Sequence, residues 1–204
     1  YEEAYDVFYK AAWNSAWQDA AYLNLARIAT RRGDFEEALE LINQSISRNY
    51  PSQTARHLKV TLLRKLNKRD EAKALLEESL ALDKFNLGCL FEKYLILKHS
   101  SKAETSLEQL RTLSRGYVHN FIAYAFDYAH AGLYAEASEI LSLSFATGKE
   151  TYPMVHYYLG YFAIKQNNTP EALSFFSKAA NDKPDYCFPN RVEDIGVLEC
   201  AMFY

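Results

Sequence analysis

Glycine and proline are scarce in this chain, which has seven glycines and five prolines among 204 residues. A β-sandwich turns about every ten residues, and turns are built largely from these two residue types. The shortage therefore disfavours an all-β fold and favours long helices.

Cysteine is also rare and widely spaced, with Cys89, Cys187 and Cys200 and no CxxC pair. An odd, scattered set supports neither a disulfide framework nor a structural zinc site. Free cysteines are among the residues most often buried in proteins. We therefore expect three buried free thiols.

Long apolar runs are missing, and the N-terminus lacks the basic, apolar, small-residue order of a signal peptide. The formal net charge is -3 and the pI is near 6.0, so no basic field draws the chain to nucleic acid or to a membrane. The compartment stays open. Because the sequence runs from Tyr1, without Met, to Tyr204, each within a predicted helix, we expect a segment of a longer chain.

Sequence motifs of catalysis are absent too: there is no GxGxxG, Walker A, HExxH or GxSxG. His119 and His130 could share a helix face, but two imidazoles without a neighbouring carboxylate or thiolate make a poor metal site. The pairs Glu36–Glu37 and Glu77–Glu78 fall at helix positions that face water, unlike a glycosidase dyad. We predict no enzymatic activity, no cofactor and no metal.

An internal repeat dominates what the chain does contain. Ala38 follows Ala4 by 34 residues and precedes Ala72 by another 34, and each alanine lies early in a predicted second helix. Ala137 and Ala172 continue the series, and the gap before them holds a degenerate unit whose second helix would begin near residue 103. A period of this length indicates stacked helical pairs.

Residues at the ends of the predicted helices support this register. Gly33 and Gly132 stand where a helix ends and the chain turns, while Ser52, Thr169–Pro170 and Asn190, with Glu193 in a capping box, offer helix starts. The predicted units are 1–16 (the second helix of a truncated unit), 19–52, 53–86, 87–117 (degenerate), 118–152, 153–186 and 187–204 (a capping or partial-repeat helix).

The period and the residue types together resemble the tetratricopeptide (TPR) repeat family. The last full unit fits best, with Leu159–Gly160, Ala172, Phe176, Ala179 and Pro184 at the characteristic offsets. Small residues let the paired helices approach while large ones fill the space between them. The resemblance implies an all-α fold, a right-handed α-solenoid of antiparallel helix pairs in one array over residues 1–204.

A second resemblance concerns residues 185–193, which are similar to a stretch in the TPR regions of large Bacteroides-type proteins that contain a DUF5107 domain. Those proteins carry a β-rich domain similar to carbohydrate-active folds. This resemblance implies that the chain is a non-catalytic helical portion of a larger, carbohydrate-active bacterial protein.

The TPR resemblance also implies where a partner binds, because the first helix of each pair lines the concave groove. The groove would be basic in its N-terminal half and aromatic in its C-terminal half, which suits a ligand with an acidic and an apolar part. The alternative is that the basic residues form an ordinary solvated face and the tyrosines pack within the array. The groove candidates are Asn24, Arg27, Arg31, His57, Arg64, Lys65, Phe126, Tyr157, Tyr158 and Tyr161.

Two functions follow from these observations. The first is a scaffold that binds a peptide or protein segment in its groove; binding of a chaperone tail is disfavoured because Leu23, Arg27 and Leu58 replace the expected Lys and Asn clamp. The second is a helical support for an adjoining domain of the same polypeptide. Neither function involves nucleic acid or a membrane span in this segment.

Overall fold

The structure is a computed structural model that describes residues 1–147 and 152–204. The part it describes is all-helical, with twelve α-helices, one short 3-10 helix at Leu143–Thr147 and no strand. The α-helices are α1 Glu2–Ala11, α2 Gln18–Arg32, α3 Phe35–Arg48, α4 Gln53–Lys65, α5 Arg69–Leu82, α6 Leu87–Leu97, α7 Ala103–Ser114, α8 Val118–His130, α9 Tyr134–Ser142, α10 Met154–Lys165, α11 Thr169–Asn181 and α12 Val192–Phe203.

The helices group into two compact units. Unit 1 contains residues Tyr1–Arg115 and His130–Gly132, and unit 2 contains Gly116–Ala129 and Leu133–Tyr204. Within unit 1, α2 packs on α3, α4 on α5 and α6 on α7, and α4 also contacts α6. Within unit 2, α10 packs against α9, α11 and α12.

Small residues hold the helix pairs of unit 1 together. Ala26 of α2 and Ala38 of α3 are fully buried, and so are the large side chains of Leu25 and Ile42 beside them. A buried alanine lets two helix backbones approach closely, and a neighbouring Leu or Ile fills the remaining volume. The interlocking of small and large residues expected from the sequence is thus present.

Several predicted helix ends are confirmed. Gly33 (φ 88°) and Gly132 (φ 77°) adopt the left-handed conformation that ends a helix without strain. The Ser52 hydroxyl accepts a hydrogen bond from the backbone N–H of Ala55 at the start of α4. Pro170 lies in the first turn of α11, and α7 begins at Ala103, as predicted for the degenerate unit.

The capping box predicted for the last helix was wrong by one residue. Asp194, rather than Glu193, accepts hydrogen bonds from the backbone N–H groups of Asn190 and Arg191, each at 2.8 Å. Asp194 is 3% exposed and also accepts the hydroxyl proton of Tyr158. The buried Asp194 carboxylate therefore bonds both to the start of α12 and to Tyr158 of α10.

The prediction of three buried thiols was correct for one of them. Cys89 is buried in a cluster with Val60 and Leu76, and burial raises its pKa to about 12. Cys187 and Cys200 are free thiols but only half-buried. Cys89 belongs to a core cluster, whereas Cys200 packs from outside against the cluster of Ala163, Ala172 and Phe176.

Candidate functional site

Three of the predicted groove residues lie on successive turns of α2. Asn24, Arg27 and Arg31 are all half-buried. Asn24 bonds locally, its side-chain amide donating to the backbone carbonyl of Ala20 at 2.9 Å. The three side chains therefore share one face of α2, as their spacing of three and four residues requires.

Arg31 is engaged by its own chain at the end of α2. Its guanidinium lies 4.8 Å from the ring centroid of Tyr1 and donates to the backbone carbonyl of His130 at 3.1 Å. A Cβ on Gly132 would lie 3.1 Å from the Arg31 Cα, so this turn sits directly against the helix. Arg31 thus has a structural role within unit 1.

On α4, the three groove candidates differ in their surroundings. His57 is 2% exposed and lies against Gly88 of α6, where an added Cβ would meet the imidazole ring at 2.7 Å. Lys65 is exposed at the end of α4. Arg64 lies between these extremes, with its side chain 19% exposed.

Arg64 is held by a buried carboxylate on α6. Its Nε and one terminal nitrogen donate to the two oxygens of Glu92 at 2.6 and 3.0 Å, and Thr61 donates to the same carboxylate at 3.0 Å. Glu92 is fully buried. A forked, charge-assisted pair of this kind fixes the guanidinium and satisfies the carboxylate, so it joins α4 to α6.

In unit 2, two of the four aromatic candidates are core residues. Phe126 and Tyr158 are 5% and 1% exposed, and their rings pack edge to face with centroids 4.9 Å apart. The Tyr158 hydroxyl donates to Asp194 at 2.6 Å. Burial and this carboxylate raise the pKa of Tyr158 far above its usual value. These two side chains stabilise unit 2 and present no binding surface.

The other two aromatic candidates remain accessible. Tyr157 and Tyr161 are half-buried, one turn apart on α10. Tyr157 leans against Phe176, and the Lys165 ammonium lies 5.0 Å from the Tyr161 ring centroid. Both side chains are therefore partly accessible at the surface of unit 2.

His119 has an aromatic environment. Its ring lies 5.2 Å from that of Tyr117 and 5.1 Å from that of Tyr152. Burial, followed by the charge of Arg191, lowers the pKa of His119. Within residues 1–147 and 152–204, no group of three or more His, Cys, Asp or Glu side chains could hold a metal ion.

The sequence interpretation missed a buried arginine. Arg56 is 1% exposed, donates to the Tyr50 carbonyl at 2.8 Å and to Glu78 at 2.9 Å, and lies 4.2 Å from the Tyr50 ring centroid. The Tyr50 hydroxyl also donates to Glu78, and this bond, followed by Arg56, lowers the pKa of that carboxyl. Because Arg56 and Glu78 lie 22 residues apart, on α4 and α5, local periodicity could not reveal their pairing.

His99 continues a series of basic residues at the repeat period. It is exposed and follows Lys65 by 34 residues, and Lys65 follows Arg31 by 34, so the repeat period could have identified this third basic position.

Among the described helices, none combines the length and the apolar character that a membrane crossing requires.

Comparison with known proteins identifies the fold. A tetratricopeptide repeat family model matches residues 21–54. A tetratricopeptide repeat protein from Parabacteroides merdae ATCC 43184 is 18% identical, with 98% of this chain and 77% of that chain covered and a TM-score of 0.54. The APC/C hetero-tetramer Cut9–Hcn1 is 14% identical, with 98% and 39% covered and a TM-score of 0.52. The chain therefore has the all-helical fold of tetratricopeptide repeat proteins, and one of its helical pairs matches that family's repeat directly.

Proposed function

We propose that the chain is a protein-interaction scaffold whose unit 1 binds an acidic protein or peptide segment along α2 and α4. The observation that carries this proposal is the division of charge between the helices of each pair. The first helices α2 and α4 carry seven Arg and Lys and one acidic residue, Asp19. Three of these seven already pair with carboxylates of the chain itself, at Glu2, Glu78 and Glu92. The second helices α3 and α5 carry seven Asp and Glu and three Arg and Lys.

This division supports binding through the first helices. Acidic side chains on a partner would be attracted to the basic helices α2 and α4 and repelled by the acidic helices α3 and α5. Arg27 and Lys65 are the contacts we favour, because the structure leaves Lys65 exposed and Arg27 half-exposed. Arg64 and His57 would support these contacts indirectly. Arg64 does so through its ion pair with Glu92, and His57 through its contact with Gly88.

Unit 2 would contribute separately through Tyr157 and Tyr161. Tyrosine supplies rigid contact area with a polar tip at a small cost in side-chain entropy, and it is enriched among residues that dominate binding energy. Both rings are half-exposed on one face of α10. We propose that they bind an apolar or aromatic part of a partner.

A capture experiment tests the proposal. The chain would be immobilised and exposed to lysate of the source organism, beside a variant with Arg27, Lys65, Tyr157 and Tyr161 replaced by alanine. A matched control replaces Lys68, Arg69, Tyr117 and Tyr186, which are all exposed, so that charge and aromatic content change equally. Helicity and melting temperature of both variants are measured first.

We expect a partner that binds the unaltered chain and the control variant but is lost from the groove variant. The acidic segment of that partner, synthesised as a peptide, should bind the purified chain more weakly at high salt because the contacts are ionic. Equal capture by both variants would refute a role for these side chains.

The second predicted role is support of a catalytic domain in a DUF5107-type protein. It predicts a different outcome of the capture experiment. The captured or co-expressed partner would then be a neighbouring domain of the same polypeptide, supplied in trans. Binding of that domain, with no binding of a separate protein, would favour the support role over the scaffold.

A further inference from the structure

A groove with an apolar floor and a basic rim lies between α5, α6 and α7 of unit 1, away from the α2 and α4 residues discussed above. Its volume is about 710 Å³ and its floor contains Leu76, Leu80 and Ile96. Leu76 is 4% exposed, while Leu80 and Ile96 are only partly buried over the same core cluster. The floor is therefore anchored in the core but accessible from outside.

Four lysines surround this floor: Lys73, Lys84, Lys93 and Lys102. One glutamate, Glu77, lines the groove with them, so the rim carries a clear excess of positive charge. Within residues 1–147 and 152–204, these lysines form one ion pair, a long one between Lys73 and Asp70 at 3.9 Å, and the Lys73 side chain is 53% exposed. The rim can therefore bind carboxylates without breaking a strong internal pair.

The shape of the groove suits a short helix. Its α5 wall runs from Lys73 to Ala81, which at 1.5 Å per residue spans about 12 Å, or roughly two turns. The floor residues Leu76 and Leu80 lie one turn apart on α5. An amphipathic helix with apolar residues at i, i+3, i+4 and i+7 would place them on this floor and its acidic flanks on the rim.

Other ligand classes fit this groove less well. A single-tailed anionic lipid needs an enclosed apolar pocket with cationic side chains at one end. These four lysines instead come from α5, from α6 and from the two segments that connect α5, α6 and α7. A nucleic acid favours a clustered basic patch, joined by aromatic rings where single strands stack, whereas this groove combines its lysines with Glu77 and an aliphatic floor. A ligand with carboxylates spaced along its length complements the charge of these four lysines better.

We propose that the α5–α7 groove is a docking site for an acidic amphipathic helix of a partner protein. Apolar side chains of the partner pack on Leu76, Leu80 and Ile96, and its Glu or Asp side chains pair with the four lysines. This site is separate from the face proposed above and depends on different residues.

The test uses a fluorescein-labelled synthetic helix with leucines at i, i+3, i+4 and i+7 and glutamates flanking them. Its binding to the full chain is measured by fluorescence polarisation. A permuted peptide of the same composition, whose leucines do not share a face, is the control ligand.

Two pairs of variants separate the rim from the floor. Lys84→Glu with Lys102→Glu reverses the rim charge, and Lys10→Glu with Lys68→Glu makes the same change at exposed positions elsewhere in unit 1. Ala81→Gln places a long neutral side chain in the groove, and Ala74→Gln makes the same change on an exposed position of α5 that does not line the groove. None of these positions is buried, so folding should persist.

We expect the groove variants to weaken binding about tenfold or more, while each control variant stays within about twofold of the unaltered chain. The fourfold variant of Arg27, Lys65, Tyr157 and Tyr161 should bind this peptide normally, which separates failure here from failure of the α2 and α4 proposal. Equal binding of the permuted peptide, or equal affinities of the Ala81→Gln and Ala74→Gln variants, would overturn the proposal. So would binding to phosphatidylserine vesicles that the rim variant loses and the peptide does not displace, because the ligand would then be a membrane.

Discussion

Replacement of Gly160 by alanine should destabilise unit 2 because α10 and α11 are in direct contact there. An ideal Cβ on Gly160 would lie 2.3 Å from Cε1 and 2.5 Å from Cδ1 of Phe176. Phe176 is 7% exposed and packs in a cluster with Ala163 and Ala172. Its rigid ring cannot move aside without disturbing that cluster, so the helices must separate.

Two opposing effects set the magnitude. Overpacking of a core costs about 1–3 kcal/mol, and alanine in a helix interior is favoured over glycine by roughly 1 kcal/mol. The short 2.3 Å approach puts the clash at the upper end, for a net loss of about 1–2 kcal/mol. In a chain of this size each kcal/mol lowers the melting temperature by about 2–4 °C.

Gly196 in α12 provides the matched control, because a Cβ added there meets nothing within 4 Å. Gly196→Ala should therefore raise stability by about 0.5–1 kcal/mol through helix propensity alone. Circular dichroism during thermal and urea unfolding measures both variants, and Phe176→Leu combined with Gly160→Ala tests the coupling. If Gly160→Ala melts at or above the unaltered chain, the proposed close contact does not constrain the packing.

Three further results are expected. Arg64→Ala should lower the free energy of unfolding by about 3 kcal/mol because it removes two charge-assisted hydrogen bonds from the buried Glu92 carboxylate, and adding Glu92→Leu should restore part of that loss in urea unfolding. Asp194→Ala should cost about 1–3 kcal/mol by removing the cap of α12, whereas Glu193→Ala should change the melting temperature little; equal effects would contradict the observed cap. Burial raises the pKa of Cys89 from 9.0 to about 12, so its thiol ionises at lower pH in the unfolded chain than in the folded one. The stability that the buried neutral thiol provides is present below pH 9 and lost as the pH rises toward 12. Cys89→Ala should therefore make the decline in melting temperature over this pH range shallower.

Local features of the sequence were sufficient for the helices and many of their ends. Gly33 and Gly132 end helices because glycine, which has no Cβ, adopts a positive φ without strain, and Ser52 starts one because its hydroxyl can accept from the backbone three residues later. Each of these effects acts within one turn. The alanine period likewise predicted α7 at Ala103, although that unit departs from the usual length.

Burial of individual site residues could not be predicted in the same way. Tyr157 and Tyr158 are neighbours of the same residue type, yet Tyr158 is buried, and its hydroxyl donates a hydrogen bond to Asp194, 36 residues later. His57 and Phe126 were expected in the groove and lie in the core for similar reasons, through Gly88 and Tyr158. Arrangements of this kind depend on which turn of one helix meets which turn of another.

The sequence by itself determined the all-helical character, the repeat and the excess of basic residues on α2 and α4, because propensity, period and charge are properties of the chain alone. The tertiary structure decided that Arg64 is committed to a buried Glu92, that Arg56 joins α4 to α5, and that lysines from separate helices surround one apolar groove. These features join residues on different helices, and only packing brings such residues within the few ångströms over which hydrogen bonds and contacts act.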